Sequence, residues 1–218
     1  TKPAENVEIV NFTAPENGDT IVEINFKDYG TVKIRLFPDY APTACDNFTQ
    51  LIEKGYYDGL TFHRIIKDFM IQGGDPNGNG TGGESAWGGK FDGGTNPALA
   101  HVTGALAYAN SGSTDTNGSQ FYIVTGAHNI DDALFTTYEG YGYSFTENQK
   151  ELYKQYGGTP FLDGNYTVFG QVIDGLDVIF KIQYTATDAN DKPLNDVVME
   201  SVKLSKYNGE PIKWTLSD

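Results

Sequence analysis

From Thr20 onward, apolar and polar residues alternate with a period of two. Val22, Ile24 and Phe26 are interleaved with Glu23 and Asn25, and Val32, Ile34 and Leu36 with Lys33 and Arg35. An extended chain turns successive side chains to opposite faces, so each run predicts a strand with one buried face. Lys27-Asp28-Tyr29-Gly30 between them reads as a turn, and the whole as a hairpin. The period then changes. Pro42 suits the first turn of a helix, where its missing N–H costs nothing, and Ala44, Phe48, Leu51 and Ile52 fall on one helical face. Gly55 stands where a left-handed residue ends such a helix. Short apolar runs at 69–71, 105–109, 121–124 and 168–172 predict further strands, 176–182 a second short helix, and 197–204 a final strand.

Many short strands with two helices predict a mainly β domain, a barrel with helical end caps. Residues 1–18, with Pro3, Pro15 and scattered acids, show no sustained period and read as an N-terminal tail. Residues 19–218 contain neither a repeat nor a linker and read as a single domain. Between 127 and 158 the character changes. The stretch 138–143 is rich in Tyr and Gly, and Thr146 with Gln149 then forms a capping box ahead of Glu151, Leu152 and Tyr153. Gly157-Gly158 stops that helix, so 127–158 reads as a helical insertion on the surface.

Charge narrows the partners. With 15 Lys and Arg against 29 Asp and Glu, the formal net charge is -14, which repels phosphate backbones; no basic cluster offsets it, so no nucleic-acid partner is expected. The longest apolar runs are a few residues, far short of the ~20 that span a bilayer. Cys45 is the only cysteine and can form no internal disulfide. The chain starts at Thr1 rather than Met. With its polar N-terminal stretch and acidic surface, it is expected to be the mature part of an exported bacterial protein, lipid-anchored upstream of Thr1; the cytoplasm is the alternative.

Several local patterns invite other functions. Gly78, Gly80 and Gly83 match G-x-G-x-x-G, but no helical stripe follows to present a helix N-terminus to a pyrophosphate. Asp75, Asn77, Asn79 and Gly80 match half a calcium loop, yet Ala86 stands where a bidentate Glu is required. His63, His101 and His128 form no short-spaced set, so structural roles and no metal site are expected. The N-x-[ST] matches at Asn11, Asn47, Asn117 and Asn165 are treated as background.

Two segments carry the candidate chemistry: FHRIIKDFMIQGGD, from Phe62 to Asp75, and GALAYANSGSTDTNGSQFYIVTG, from Gly104 to Gly126. Read alone, Arg64 is either a surface residue beside a core strand or a charge held in an apolar setting. Gln72 and Gln120 are amides able to orient a guanidinium without neutralising it. No nucleophile, base and orienter recur together, so covalent hydrolysis is not suggested.

Both segments resemble the two signature blocks of the cyclophilins, and the resemblance runs on through LDGNYTVFGQV to Leu204, in the family's order. It implies a closed eight-stranded antiparallel β-barrel capped by two α-helices and a peptidyl-prolyl cis-trans isomerase that assists protein folding. Arg64 would be the catalytic arginine and Gln72 its supporting amide. Phe69, Met70 and Leu162 would form the proline pocket, Ala109 and Asn110 would bind the substrate backbone, and Gln120 would hold substrate or Arg64. Three positions depart from the usual eukaryotic pattern: Tyr122 for a pocket Phe, Phe161 for a Trp that donates to cyclosporin, and Tyr166 for a pocket-lining His. Weakened cyclosporin binding is therefore expected. The insertion and the LDGNYTVFG wording resemble bacterial members. The expected ligands are proline-containing polypeptides, with no cofactor, and the expected state is a monomer. Two rivals are a binding module that holds such segments without turning them over, and a surface protein whose Tyr-rich insertion is the working part.

Overall fold

The computed structural model describes residues 5–126 and 128–218; residues 1–4 of the N-terminal segment and residue 127, the first of the insertion, lie outside the described residues. The period-two runs form a hairpin, β1 (Thr20–Phe26) with β2 (Gly30–Leu36). Its alternating set Val22, Ile24, Phe26, Val32, Ile34 and Leu36 is buried. The helical stripe becomes α1 (Pro42–Glu53), with Ala44, Phe48, Leu51 and Ile52 buried and Pro42 in its first turn. Gly55 has φ 68°. Its N–H donates to Ile52 O at 2.9 Å and the Tyr56 N–H to Leu51 O at 3.0 Å, so the helix's last carbonyls are satisfied by a Schellman motif.

The remaining strands are β3 (Arg64–Ile66), β4 (Met70–Gly73), β5 (Ala105–Tyr108), β6 (Phe121–Val124), β7 (Val168–Asp174) and β8 (Met199–Lys206). All pairings are antiparallel, in the order β3-β4-β6-β5-β7-β2-β1-β8. The strand number agrees with the expectation; closure does not. β3 and β8 are the two edges of an open, curled sheet and do not pair with each other. β3 is three residues long, and the outward N–H of Ile65 donates to Asp191 O at 2.9 Å, so a neighbouring turn occupies the edge that a closing strand would need. The isolated bridge Thr61–Val198 and a few backbone bonds around it, such as Gly59 N–H to Met199 O at 2.7 Å, link the two sides. The expected closed barrel is thus a half-barrel with loops across the gap.

α4 (Leu176–Gln183) is the second short helix, and with α1 it packs into the main core. The insertion contributes two helices, α2 (Asp132–Gly140) and α3 (Glu147–Tyr156). Both bonds of the Thr146–Gln149 capping box are present at the start of α3. α2 starts from Asp131, whose carboxylate accepts from the Leu134 N–H at 2.9 Å. These helices share a small second core of Ala100, Val102, Ile130, Phe135, Phe145 and Tyr153, against which Ile9 and Phe12 pack. The segment before β1 is tied in at Asn11, which is fully buried. Its side chain bonds the Ala100 N–H and C=O, both at 2.9 Å, and Gln171 Oε1 at 3.0 Å.

Candidate active site

β3 and β4 form a hairpin whose turn holds Asp68 at φ 56°. The Asp68 N–H donates to Gln183 Oε1 of α4, and the Phe69 carbonyl accepts from both Thr125 and Gly126 N–H at 3.1 Å. Phe69 is therefore fixed from both sides as the chain enters β4. Cross-strand register sets Arg64 opposite Gln72 on β3–β4, and Gln72 opposite Tyr122 on β4–β6. Arg64, Gln72 and Tyr122 thus line up across three strands. With Phe69, Met70, Ala109, Asn110, Leu162 and Tyr166 they surround a cavity of about 150 Å³.

Its walls are aromatic and aliphatic. Met70, Tyr122 and Leu162 are buried, and Phe69 and Tyr166 are half-buried. An apolar cavity of about this size takes up a six-membered ring such as benzene, so a five-membered pyrrolidine ring fits. Arg64 is exposed at the rim. Its guanidinium makes no hydrogen bond or ion pair among the described residues. The amide expected to support it does something else: Gln72 Nε2 donates to Gln120 Oε1 at 3.0 Å, and Gln120 Nε2 donates to Gly82 O at 2.8 Å. Gln72 thus shares a strand register with Arg64 but bonds Gln120.

Gln120 stands one step away, in an adjoining polar cavity of about 110 Å³ whose lining includes Gly80, Gly82, Lys90, Thr116 and Ser119. Gln72, Ala109 and Asn110 border both cavities, so the two form one continuous cleft. The Asn110 side chain is committed, donating to Asn165 O and accepting from the Gly112 N–H, both at 3.0 Å. Its main-chain N–H and C=O make no hydrogen bond among the described residues and remain free for a ligand. The other wall is held by Asp75, whose carboxylate accepts from the N–H groups of Asn77, Asn79 and Gly80. Burial opposes its ionisation, but these backbone donors outweigh that and hold the carboxyl below its ordinary value. The glycine-rich run is therefore a loop wrapped around one carboxylate. No cluster of three His, Cys, Asp or Glu able to hold a metal occurs among the described residues.

Phe161 does not line the cavity; it stacks behind Phe69 with ring centroids 5.9 Å apart and also meets Tyr138 of α2. The Tyr122 hydroxyl bonds His101 Nε2 at 2.9 Å, while Tyr166 meets the Tyr122 ring edge-on. His101 was expected in a structural role and Tyr153 on a surface helix, and neither they nor Asp163 were expected beside the site. They are 52 and 10 residues apart along the chain, and the one available signal was the Tyr122 hydroxyl, which needs a buried partner.

The family profile described as cyclophilin type peptidyl-prolyl cis-trans isomerase matches residues 21–204. A Staphylococcus aureus protein with the provisional name of peptidyl-prolyl cis-trans isomerase is 44% identical over 177 residues, covering 81% of this chain and 88% of its own. A Staphylococcus haemolyticus protein of the same provisional name is 44% identical over 173 residues, covering 79% and 85%. Among solved structures, a Cryptosporidium parvum cyclophilin type peptidyl-prolyl cis-trans isomerase superposes with TM-score 0.69 at 32% identity, over 88% of this chain and 99% of that one. The same protein in the presence of the dipeptide Ala-Pro gives TM-score 0.66 at 33% identity, over 84% and 96%. Matched across nearly all of its sheet by sequence and by fold, the chain belongs to the cyclophilin-type peptidyl-prolyl cis-trans isomerase family.

Proposed function

We propose that this peptidyl-prolyl cis-trans isomerase turns X-Pro bonds in the cavity beside Arg64, with the guanidinium stabilising the twisted amide. The observation that carries the reading is an unpaired cation at the mouth of a cavity of about 150 Å³, partly walled by aromatic and aliphatic side chains, that fits a proline ring. Amide resonance sets a rotation barrier of about 18–20 kcal/mol, and uncatalysed X-Pro isomerisation takes roughly tens to hundreds of seconds. As the bond twists, nitrogen regains its lone pair and becomes a hydrogen-bond acceptor. A guanidinium N–H aimed at that nitrogen gains a partner mainly in the twisted state, so it lowers the barrier rather than tightening ground-state binding. Shortening about 100 s to about 10 ms is roughly 10⁴-fold, or about 5.5 kcal/mol. One charge-assisted hydrogen bond, together with water exclusion by the bound ring, is of the right size.

Phe69, Met70, Tyr122, Leu162 and Tyr166 hold the ring, while the free main-chain groups of Asn110 hold the substrate backbone and the polar cavity past Gln72 takes a flanking residue. The ligand class is an extended proline-containing segment of a polypeptide, bound by a monomer. Crystallisation of the Cryptosporidium relative in the presence of Ala-Pro supports that class. A module that merely holds such segments needs no unpaired arginine at the rim. Peptide titration beside a protease-coupled turnover assay separates the two: Arg64→Ala is expected to keep binding and lose turnover. Loss of binding with turnover per bound peptide unchanged would remove Arg64 from the chemistry.

A further inference from the structure

Behind the proline cavity lies a largely buried polar chain that crosses from the inserted helices to the pocket wall. Tyr153 of α3 donates its O–H to Asp163 Oδ2 at 2.6 Å. Asp163 Oδ1 accepts from the His101 backbone N–H at 2.9 Å and faces His101 Nδ1 at 2.8 Å. His101 Nε2 bonds the Tyr122 hydroxyl at 2.9 Å, and the Tyr153 oxygen also accepts from the His101 N–H at 2.8 Å. Tyr153, His101 and Tyr122 are 0%, 1% and 4% exposed, while the Asp163 side chain is 15% exposed, so three of the four members are shielded from water.

A carboxylate only accepts, so Nδ1 of His101 donates to Asp163, and Nε2 on the far side of the ring is left to pair with the Tyr122 hydroxyl. The Tyr122 hydroxyl is thereby committed away from the cavity and its ring face is left as wall. Two other contacts hold the ring in plane: His101 lies nearly parallel to it, at 16°, and Tyr166 meets it at 82°. The far end of the chain is set by close approach. Val102 and Gly158 form a bridge, and a Cβ at Gly158 would lie 2.8 Å from Val102 Cα. Only a glycine there lets the end of α3 come near enough for Tyr153 to reach Asp163 and His101.

We propose that the hydrogen-bonded chain Tyr153–Asp163–His101–Tyr122 is a positioning device that sets the width of the proline cavity, making the site's ring selectivity depend on helix α3 of the insertion. His101, Asp163 and Tyr153 touch no substrate and act through Tyr122. The inference rests on the cavity being the proline site, and its test is built to separate the two.

The readout is the ratio of kcat/KM for matched peptides carrying proline or its six-membered homologue pipecolate, with melting followed in parallel. One methylene in a fitted apolar pocket is worth about tenfold or more, and the parent is expected to prefer proline by about that factor. Tyr153→Phe, which frees one oxygen of Asp163 and loosens its hold on the imidazole, should cut the preference to about threefold or less. Adding it to Tyr122→Phe should change the ratio no further, because the pocket end of the chain is already released. Phe69→Ala is the control on the cavity itself. If Phe69→Ala alters the ratio while Tyr153→Phe and Tyr122→Phe keep the parent's value, the positioning role is refuted and the proline site stands. If Phe69→Ala also leaves the ratio unchanged, the cavity is not the proline site and both readings fall. Should Tyr153→Phe not fold, Tyr122→Phe cuts the same chain at its other end and decides the matter by the same ratio.

Discussion

Replacing Asn11 by Ala removes one side chain from a segment without secondary structure, yet its cost should be large. Asn11 supplies all the bonding of three buried groups: the Ala100 N–H, the Ala100 C=O and Gln171 Oε1. Ala100 is 1% exposed and Gln171 0%, so neither recovers its bonds from water without a rearrangement. Each orphaned buried polar group costs about 1–3 kcal/mol. Partial entry of water into the space left by the amide offsets part of the sum, which leaves about 3 kcal/mol or more. For a chain of this length, 1 kcal/mol moves the melting midpoint by about 2–4 °C, so a fall of about 6–12 °C is expected. Thermal unfolding followed by circular dichroism, with urea unfolding as a check on the slope, measures it. A fall of less than about 2 °C would mean that residues 9–12 are a loose leader rather than part of the fold.

Four further outcomes follow from the same contacts. Phe161 offers no N–H and backs Phe69, so the parent should be weakly inhibited by cyclosporin and Phe161→Trp more strongly; tight inhibition of the parent in a peptide assay would contradict this. Asp75 is held below its ordinary carboxylate value, so its stabilising contribution is full above that value and fades as pH falls through the lower folded one. Asp75→Asn should therefore lower the urea midpoint at pH 7, with the difference from the parent shrinking on acidification into the carboxylate range; a difference that grew there would reverse the sign. Burial pushes the Cys45 thiol up to about 12, so the folded chain should resist iodoacetamide at pH 8, and rapid alkylation seen by mass spectrometry would contradict its place in the core. Asn11, Asn47 and Asn117 are fully buried, so of the four acceptor sequences only Asn165 can carry a sugar in the folded chain, and peptide mapping of folded protein from a glycosylating host should find no sugar at the other three.

What could be read from the sequence was what neighbouring residues decide. The β1–β2 hairpin, the α1 stripe with its Pro42 start and Gly55 stop, and the Thr146–Gln149 box each depend on residues within a few positions. All three stand where they were expected. α2 was missed because its apolar face is short: Phe135 is its one buried residue, and the Tyr- and Gly-rich stretch hides the rest. Closure failed as an expectation because it depends on a distant competitor. The Asp191 carbonyl takes the edge of β3, and no residue near Arg64 announces that. The same holds for the N-terminal segment, whose anchor Asn11 lies 89 residues from Ala100. At the site, the residues quoted from the two signature blocks and LDGNYTVFG converge on one cleft, apart from Phe161, which sits behind it, and Gln120, which borders only its polar half. The expected support of Arg64 by Gln72 is replaced by the Gln72–Gln120 bond, which joins two amides 48 residues apart and so is not announced by any neighbouring residue.

If the Arg64 guanidinium meets the prolyl nitrogen only as the bond twists, its loss must appear in turnover. Steady-state kinetics of Arg64→Ala on an X-Pro peptide, with folding verified by an unchanged melting midpoint, measures this. The kcat should fall by about 10²-fold or more, as when a donor to a developing charge is removed elsewhere, with KM changed little. A kcat within threefold of the parent, or a loss confined to KM, would place the cation outside the rotation step.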